Sequence, residues 1–185
     1  GTKNGRIVDP GMPVTDSNPP VDNTNPTLTS SEISNDGSKL ILTFSENISL
    51  AAGATFSALQ VTVDGSTNNP VTVIDISNTE LQATLSDKIL SGQQVTLDYL
   101  ATALSIKDLS GNNLYGIDAL SVTNISNVIG YVNGQAYEGD FHVMANGMKM
   151  TGASHGSGTD QIIYSTIAES TSSGGTNTGN PTLNI

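Results

Sequence analysis

Apolar residues recur at every second position in separate runs of this chain, and turn-forming residues close each run. Leu40, Leu42 and Phe44 share one parity in KLILTFS; Val61 and Val63 do so in LQVTVDG, where Asp64-Gly65 follows as a turn. ELQATLS puts Leu81, Ala83 and Leu85 on one side, and QVTLDYL does the same with Val95, Leu97 and Tyr99. A strand sends successive side chains to opposite faces, so this period builds sheets with one buried face and does not suit a helix. VTVIDIS is less regular: Val71 and Val73 lie on one parity, Ile74 and Ile76 on the other. A bulge or a second covered face accounts for it. A last strand starts near Leu120 in LSVTNIS. Strands bounded by turn residues at ~8–12-residue spacing indicate an antiparallel β-sandwich. SALQV and SLAAGA are too short to make helices.

Composition narrows the function classes. The net charge is -11, and the six basic residues are scattered. A grip on phosphates needs clustered Lys or Arg, so nucleic acid and anionic membrane surfaces are poor partners. The acidity favours solubility and a weak attraction for Ca²⁺. With no cysteine there are no disulfides, thiolate chemistry or zinc ribbon. No apolar run reaches the ~20 residues of a membrane-spanning helix. There is no signal-peptide pattern and no starting Met, so Gly1 reads as a processed or truncated start.

Four regions are expected. Residues 1–26 hold five of the seven prolines and read as an extended N-terminal arm or linker. Residues 27–126 carry the sandwich. Residues 127–168 form a small β-module, with Asn133-Gly134 and Asn146-Gly147 as turns and QIIYST as a further strand. Residues 169–185 are a low-complexity, flexible tail.

Residues 26–126 resemble the bacterial Ig-like repeats of the SwmB type. The ordered series NPTLTSS, DGSKLILTFSENIS, FSALQVTVDG, SGQQVTLDYL, IKDLSGNNL and a closing VTN carries the resemblance. It implies an immunoglobulin-like sandwich of the kind found in large secreted or surface-displayed proteins and on virions, with no catalytic residues. The fold class expected is therefore all-β: an immunoglobulin-like antiparallel β-sandwich followed by a small β-hairpin/meander module.

YEGDFHVMANGMKMTGASHG, residues 137–156, holds both histidines and three of the four methionines. Taking Asn146-Gly147 as a two-residue loop sets Ala145 against Met148, Val143 against Met150 and His142 against Thr151. Phe141, Val143, Ala145, Met148 and Met150 then share an apolar face, while His142, Met144, Lys149 and Thr151 share a polar one. So small a sheet is marginal alone and should pack on the sandwich or on a partner. Phe141, Val143, Met148, Met150 and Tyr164 are the interaction candidates.

Gly152-Ala153-Ser154-His155-Gly156 spells G-x-S-x-G, but a nucleophile elbow needs a strand–turn–helix followed by an acid and a His. No helical pattern follows, and a small-residue turn is expected instead. His142 and His155 are weak metal candidates: two imidazoles can bind Zn²⁺ or Fe²⁺ if two more ligands converge, within one chain or on a symmetry axis with one His per chain, but H-x-H and H-x-x-x-H spacings are absent and plain surface histidines are the default. Asp108 and Asn112, with Asn113, can offer oxygen to Ca²⁺, although the alternate acids and closing Glu of an EF-hand are missing. An Asx/Gly turn is the simpler reading. No cofactor is expected, Ca²⁺ being the one weak candidate. Paired carboxylates for glycoside hydrolysis lack a cleft and a Trp platform, and Asp98 points outward by parity.

Residues 137–164 also resemble short segments of tailed-phage structural proteins, through Tyr137, Gly139, His142, Met144, Gly147, Met150, Gly152, His155 and Tyr164. The two resemblances imply a non-enzymatic structural or adhesive protein outside the cell, on a virion or a cell surface. A virion decoration or fibre component, docked by its arm and β-module, is the leading expectation. The alternatives are an Ig-like segment of a bacterial surface adhesin, stiffened by Ca²⁺, and a carbohydrate-binding module. The expected partners are other structural proteins in an oligomeric assembly, or a host surface glycan. Neither nucleic acid nor membrane insertion is expected.

Overall fold

A computed structural model describes residues 21–50, 58–101, 106–156 and 160–172. The expected arm and tail fall mostly outside these residues. The sandwich strands are β1 (Leu28–Ile33), β2 (Lys39–Phe44), β3 (Ile48–Leu50), β4 (Leu59–Val63) and β5 (Ser66–Thr67). They continue as β6 (Pro70–Ser77), β7 (Glu80–Leu85), β8 (Val95–Tyr99), β9 (Ile106–Asp108) and β10 (Ile117–Asn124). Eight of them hydrogen-bond in the order β5-β4-β8-β10-β1-β2-β7-β6, while β3 pairs with β9. The class is the all-β sandwich read from the sequence.

β10 joins the two layers into one curled sheet. Its first part runs antiparallel to β8, with Val122 opposite Val95; its last residues run parallel to β1, with Glu32 opposite Thr123. The other strand pairs of the sandwich are antiparallel. β10 begins at Ile117, earlier than the expected Leu120, because a bulge separates the two. At that bulge Ala119 takes a φ of 46°, and the Asp98 carboxylate accepts its backbone N–H at 2.8 Å. Asp98 thus points away from the core, as its parity requires, and fixes the bend.

The alternating residues face one another across the layers. Leu40, Leu42 and Phe44 on β2, and Leu81, Ala83 and Leu85 on β7, are buried. They meet Leu59, Val61 and Val63 of β4 and Val95, Leu97 and Tyr99 of β8 in one cluster. Tyr99 is buried to the hydroxyl, which accepts the Ile106 N–H at 2.8 Å. Burial raises its pKa, and that hydrogen bond only partly opposes the rise. On the edge strand β6 bulges at both ends break the period, so Val73 points inward while Val71, Ile74 and Ile76 are exposed. The bulge read from VTVIDIS is present.

The turn before β2 is set by Asp36. Its carboxylate accepts from the Ser34 hydroxyl at 2.6 Å, the Ser38 hydroxyl at 2.7 Å and the Ser38 N–H at 3.2 Å, with Lys88 Nζ 3.5 Å away. The hydrogen bonds from Ser34 and Ser38, aided by Lys88, outweigh partial burial and hold its pKa far below the usual carboxylate range. Gly37 follows with a φ of 70°, and a Cβ there would run into the Ile89 carbonyl.

The β-module consists of β11 (Gly130–Val132), β12 (Gln135–Tyr137), β13 (Phe141–Val143), β14 (Lys149–Thr151), β15 (Ile162–Ile163) and α1 (Ile167–Ser172). Asn133 and Gly134, both at positive φ, make the expected two-residue turn between β11 and β12. The chain reaches the module through Val128, which is fully buried, and its carbonyl accepts the Ser91 N–H at 2.7 Å. Tyr131 and Tyr164 exchange backbone hydrogen bonds at 2.8 and 2.9 Å, which ties β11 to the segment after β15. The helix α1 departs from the expectation of no helix and begins two residues before the expected tail. A capping box starts it: Thr166 Oγ1 accepts the Glu169 N–H, and the Glu169 carboxylate accepts the Thr166 N–H, each at 3.2 Å. Ser170 is buried there and accepts the Gly134 N–H at 3.0 Å.

Two outcomes are expected in denaturant and acid. Leu42→Ala or Leu81→Ala should lower unfolding stability in urea by about 2–5 kcal/mol, whereas Ile74→Ala should stay within about 0.5 kcal/mol. The folded-state pKa of Asp36 is depressed, so its contribution is present above the unfolded value of about 3.9 and is lost as pH falls below it. Asp36→Asn should therefore flatten the fall of stability below about pH 4, read from melts across pH.

Candidate functional site

The Asp108 segment is a hydrogen-bonded turn. The Asp108 carboxylate accepts the Asn112 N–H at 2.7 Å and the Asn112 side-chain amide at 2.6 Å. Burial raises its pKa, but these bonds and the neighbouring backbone amides more than reverse that, leaving the carboxyl below its ordinary value. Asn112 also donates to the Asp22 carbonyl at 3.1 Å, and Asn25 donates to the Asn113 carbonyl at 2.6 Å. The turn therefore fastens the approach to β1. Asp22 and Glu46 bring carboxylates near Asp108. Burial and then the charges of Asp22 and Asp108 push the Glu46 carboxyl upward.

The module's second hairpin departs from the expected register. β13 pairs with β14 so that Phe141 faces Thr151, His142 faces Met150 and Val143 faces Lys149. The Met144 carbonyl accepts the Gly147 N–H, and the Met144 N–H donates to the Met148 carbonyl, both at 2.8 Å. The loop is thus Ala145-Asn146-Gly147, three residues with Gly147 at a φ of 85°, not the two-residue Asn-Gly loop. A turn followed by a left-handed Gly forms a bulged loop, and the extra residue shifts the pairing by one. A one-residue slip moves every side chain to the other face. Phe141 and Val143 therefore point outward, at 37% and 58% exposure, with Lys149 Nζ 5.4 Å from the Phe141 ring centre. Met150 lies on the opposite face with His142, both half-buried. Met148 is exposed at the loop and Tyr164 is half-buried beside β11.

That slip turns His142 inward. Its Nδ1 lies 2.9 Å from the Gly152 carbonyl oxygen. The His155 ring sits edge-on to it, with centroids 5.7 Å apart. Asp160 Oδ2 is 3.3 Å from His155 Nδ1 and accepts the Gly156 N–H at 2.9 Å. The sequence makes His142 and His155 weak metal candidates with no spacing to join them; the hairpin and the turn after β14 bring them together. Asp160 was not singled out, and no local spacing marks it. Gly152–Gly156 runs as bends and turns, not as a strand–turn–helix, and Ser154 is exposed. Among the described residues Ser154 has no hydrogen bond to either histidine.

Comparisons with known proteins bear on the sandwich. Residues 21–103 match the family model described as "Putative flagellar system-associated repeat", the SWM repeat. The match starts before residue 26 and stops short of residue 126, so it overlaps much of the stretch that resembles SwmB-type repeats. Among solved structures, the N-terminal part of the bacterial S-layer protein SbsC is similar at 17% identity and a TM-score of 0.45, covering 77% of this chain and 33% of that one. The S-layer protein rSbsC(31-844) is similar at 16% identity and a TM-score of 0.45, covering 77% of this chain and 19% of that one. The chain thus spans a third or less of the length of these structures. A comparison with curated proteins gave no match. None of these similarities supports the phage-like reading of residues 137–164. Among the described residues no helix is long and apolar enough to cross a membrane.

The register is open to a crosslinking test. Val143→Cys with Lys149→Cys should oxidise readily, because these residues are directly opposed. Val143→Cys with Met150→Cys, the pair of the two-residue-loop register, should stay largely reduced. Thiol titration after mild oxidation reads both.

Proposed function

We propose that this chain is a non-enzymatic structural segment of a bacterial surface assembly, in which the sandwich acts as a stiff spacer and the β-module as a contact element. The observation that carries this reading is the sandwich core. Among the described residues, its buried positions on β2, β4, β7 and β8 are aliphatic, Phe44 or the hydroxyl-bonded Tyr99, so the layers meet through apolar side chains. The match to a flagellar system-associated repeat family supports a surface-appendage setting. Function argued from a fold is an analogy, so the residues themselves must agree. They do so at the module, where Phe141 and Val143 are outward and apolar on a short hairpin.

Contact with other structural proteins follows from that outward face. The finer reading, a virion decoration, draws only on the resemblance of residues 137–164 and stands second. Immunogold labelling of intact bacteria carrying the gene, with antibody raised against the sandwich, separates the possibilities. Label on the cell envelope or on appendages is the expected result. Label confined to released phage particles would favour the virion reading, and label confined to the cytoplasm of sectioned cells would contradict both.

A further inference from the structure

The β-module contains a polar cluster that its structural role does not use. His142 projects from β13 to the half-buried face. A carbonyl oxygen can only accept, so the contact with Gly152 places the proton on Nδ1 and leaves the lone pair on Nε2. Nε2 is shut off from solvent and has no hydrogen-bond partner. A buried acceptor left unpaired carries its full desolvation penalty. This arrangement, Nδ1–H held by a backbone carbonyl and Nε2 left available, is the one that orients imidazole as a metal ligand.

Two further donors stand near His142. His155 and Asp160 each offer a ligand atom, and the three atoms lie within 4.8 Å of one another. Asp160 is held in place by the Gly156 N–H. Gly152 and Gly156, at φ of 88° and 100°, let the chain turn back tightly enough to bring His155 over the hairpin. Modest side-chain rotation closes such a spread to the ~2.0–2.2 Å of nitrogen and carboxylate ligands on zinc.

We propose that His142, His155 and Asp160 bind one divalent first-row transition ion, with Zn²⁺ as the ion best suited to the set. Two imidazoles and one carboxylate select such ions over Ca²⁺ and Mg²⁺, which take all-oxygen shells. Three ligands leave a tetrahedral ion one position for water. The ion would pin the turn after β14 to the hairpin, in a module whose buried apolar side chains among the described residues are few: Tyr131 and Ile163, with Val128 at its entry. Small modules with so little core are commonly stapled by a metal.

The test uses the full chain without an affinity tag, titrated calorimetrically with ZnCl2 and, in parallel, MgCl2. One Zn²⁺ per chain, a raised melting temperature, and intense visible bands of four-coordinate Co²⁺ on substitution are expected. Loss of an outer partner alone weakens metal sites 10–100-fold, so His155→Ala should weaken Zn²⁺ binding by at least about 100-fold. His155 is half-exposed, so its far-UV circular dichroism should stay that of the parent. Asp160→Asn supplies the same readout if His155→Ala folds poorly. Absence of saturable Zn²⁺ binding, equal binding of Mg²⁺, or Zn²⁺ binding unchanged in both variants would overturn the proposal.

Discussion

Burial of an alternating aliphatic stripe between two hydrogen-bonded layers is the constraint on which the rest of this structure depends. The inward side chains of β2 and β7 share one buried cluster with those of β4 and β8, and removing that apolar surface from water is the main favourable term in folding. The layers are also covalently and geometrically tied through β10, which leaves β8 and joins β1 within one strand. Binding residues in proteins generally are carried disproportionately on loops and edges held by such a scaffold.

The free edges show how such a surface is managed. β6 carries exposed Val71, Ile74 and Ile76, a row that invites pairing with another chain. Pro70 at its start and bulges near both ends interrupt the regular ladder. β5, at the opposite edge, is only two residues long. Both are common devices against uncontrolled edge-to-edge association.

The sandwich was legible because its signal is redundant. Period two recurs in strand after strand, and Asp64-Gly65 and Asn133-Gly134 both form the two-residue turns that they spell. The second hairpin was not legible in the same detail. Asn-Gly fits a two-residue loop, but it also ends a three-residue loop with Gly in the left-handed position. The choice is made outside the hairpin: in the observed register Met150 reaches Ile162 and Lys149 faces Ile163 on β15. One residue of slip then exchanged the inner and outer faces, and with them the surroundings of His142. His142 and His155 were weak metal candidates from the sequence, but Asp160 was hidden, because no local spacing announces a contact made through a turn. The helix α1 did have a signal, Thr166 followed by Glu169, but it sits at the border of a Ser/Thr/Gly-rich stretch whose composition masks it.

Hydrogen exchange of backbone amides, resolved by residue, tests most directly whether the interleaved aliphatic layers hold the molecule together. The slowest amides should lie on β2, β7, β4 and β8, near Leu42, Leu81, Val61 and Leu97, and should exchange only by global unfolding. The β-module amides should exchange faster. Slowest exchange in the module, or uniformly fast exchange through the sandwich strands, would contradict the account.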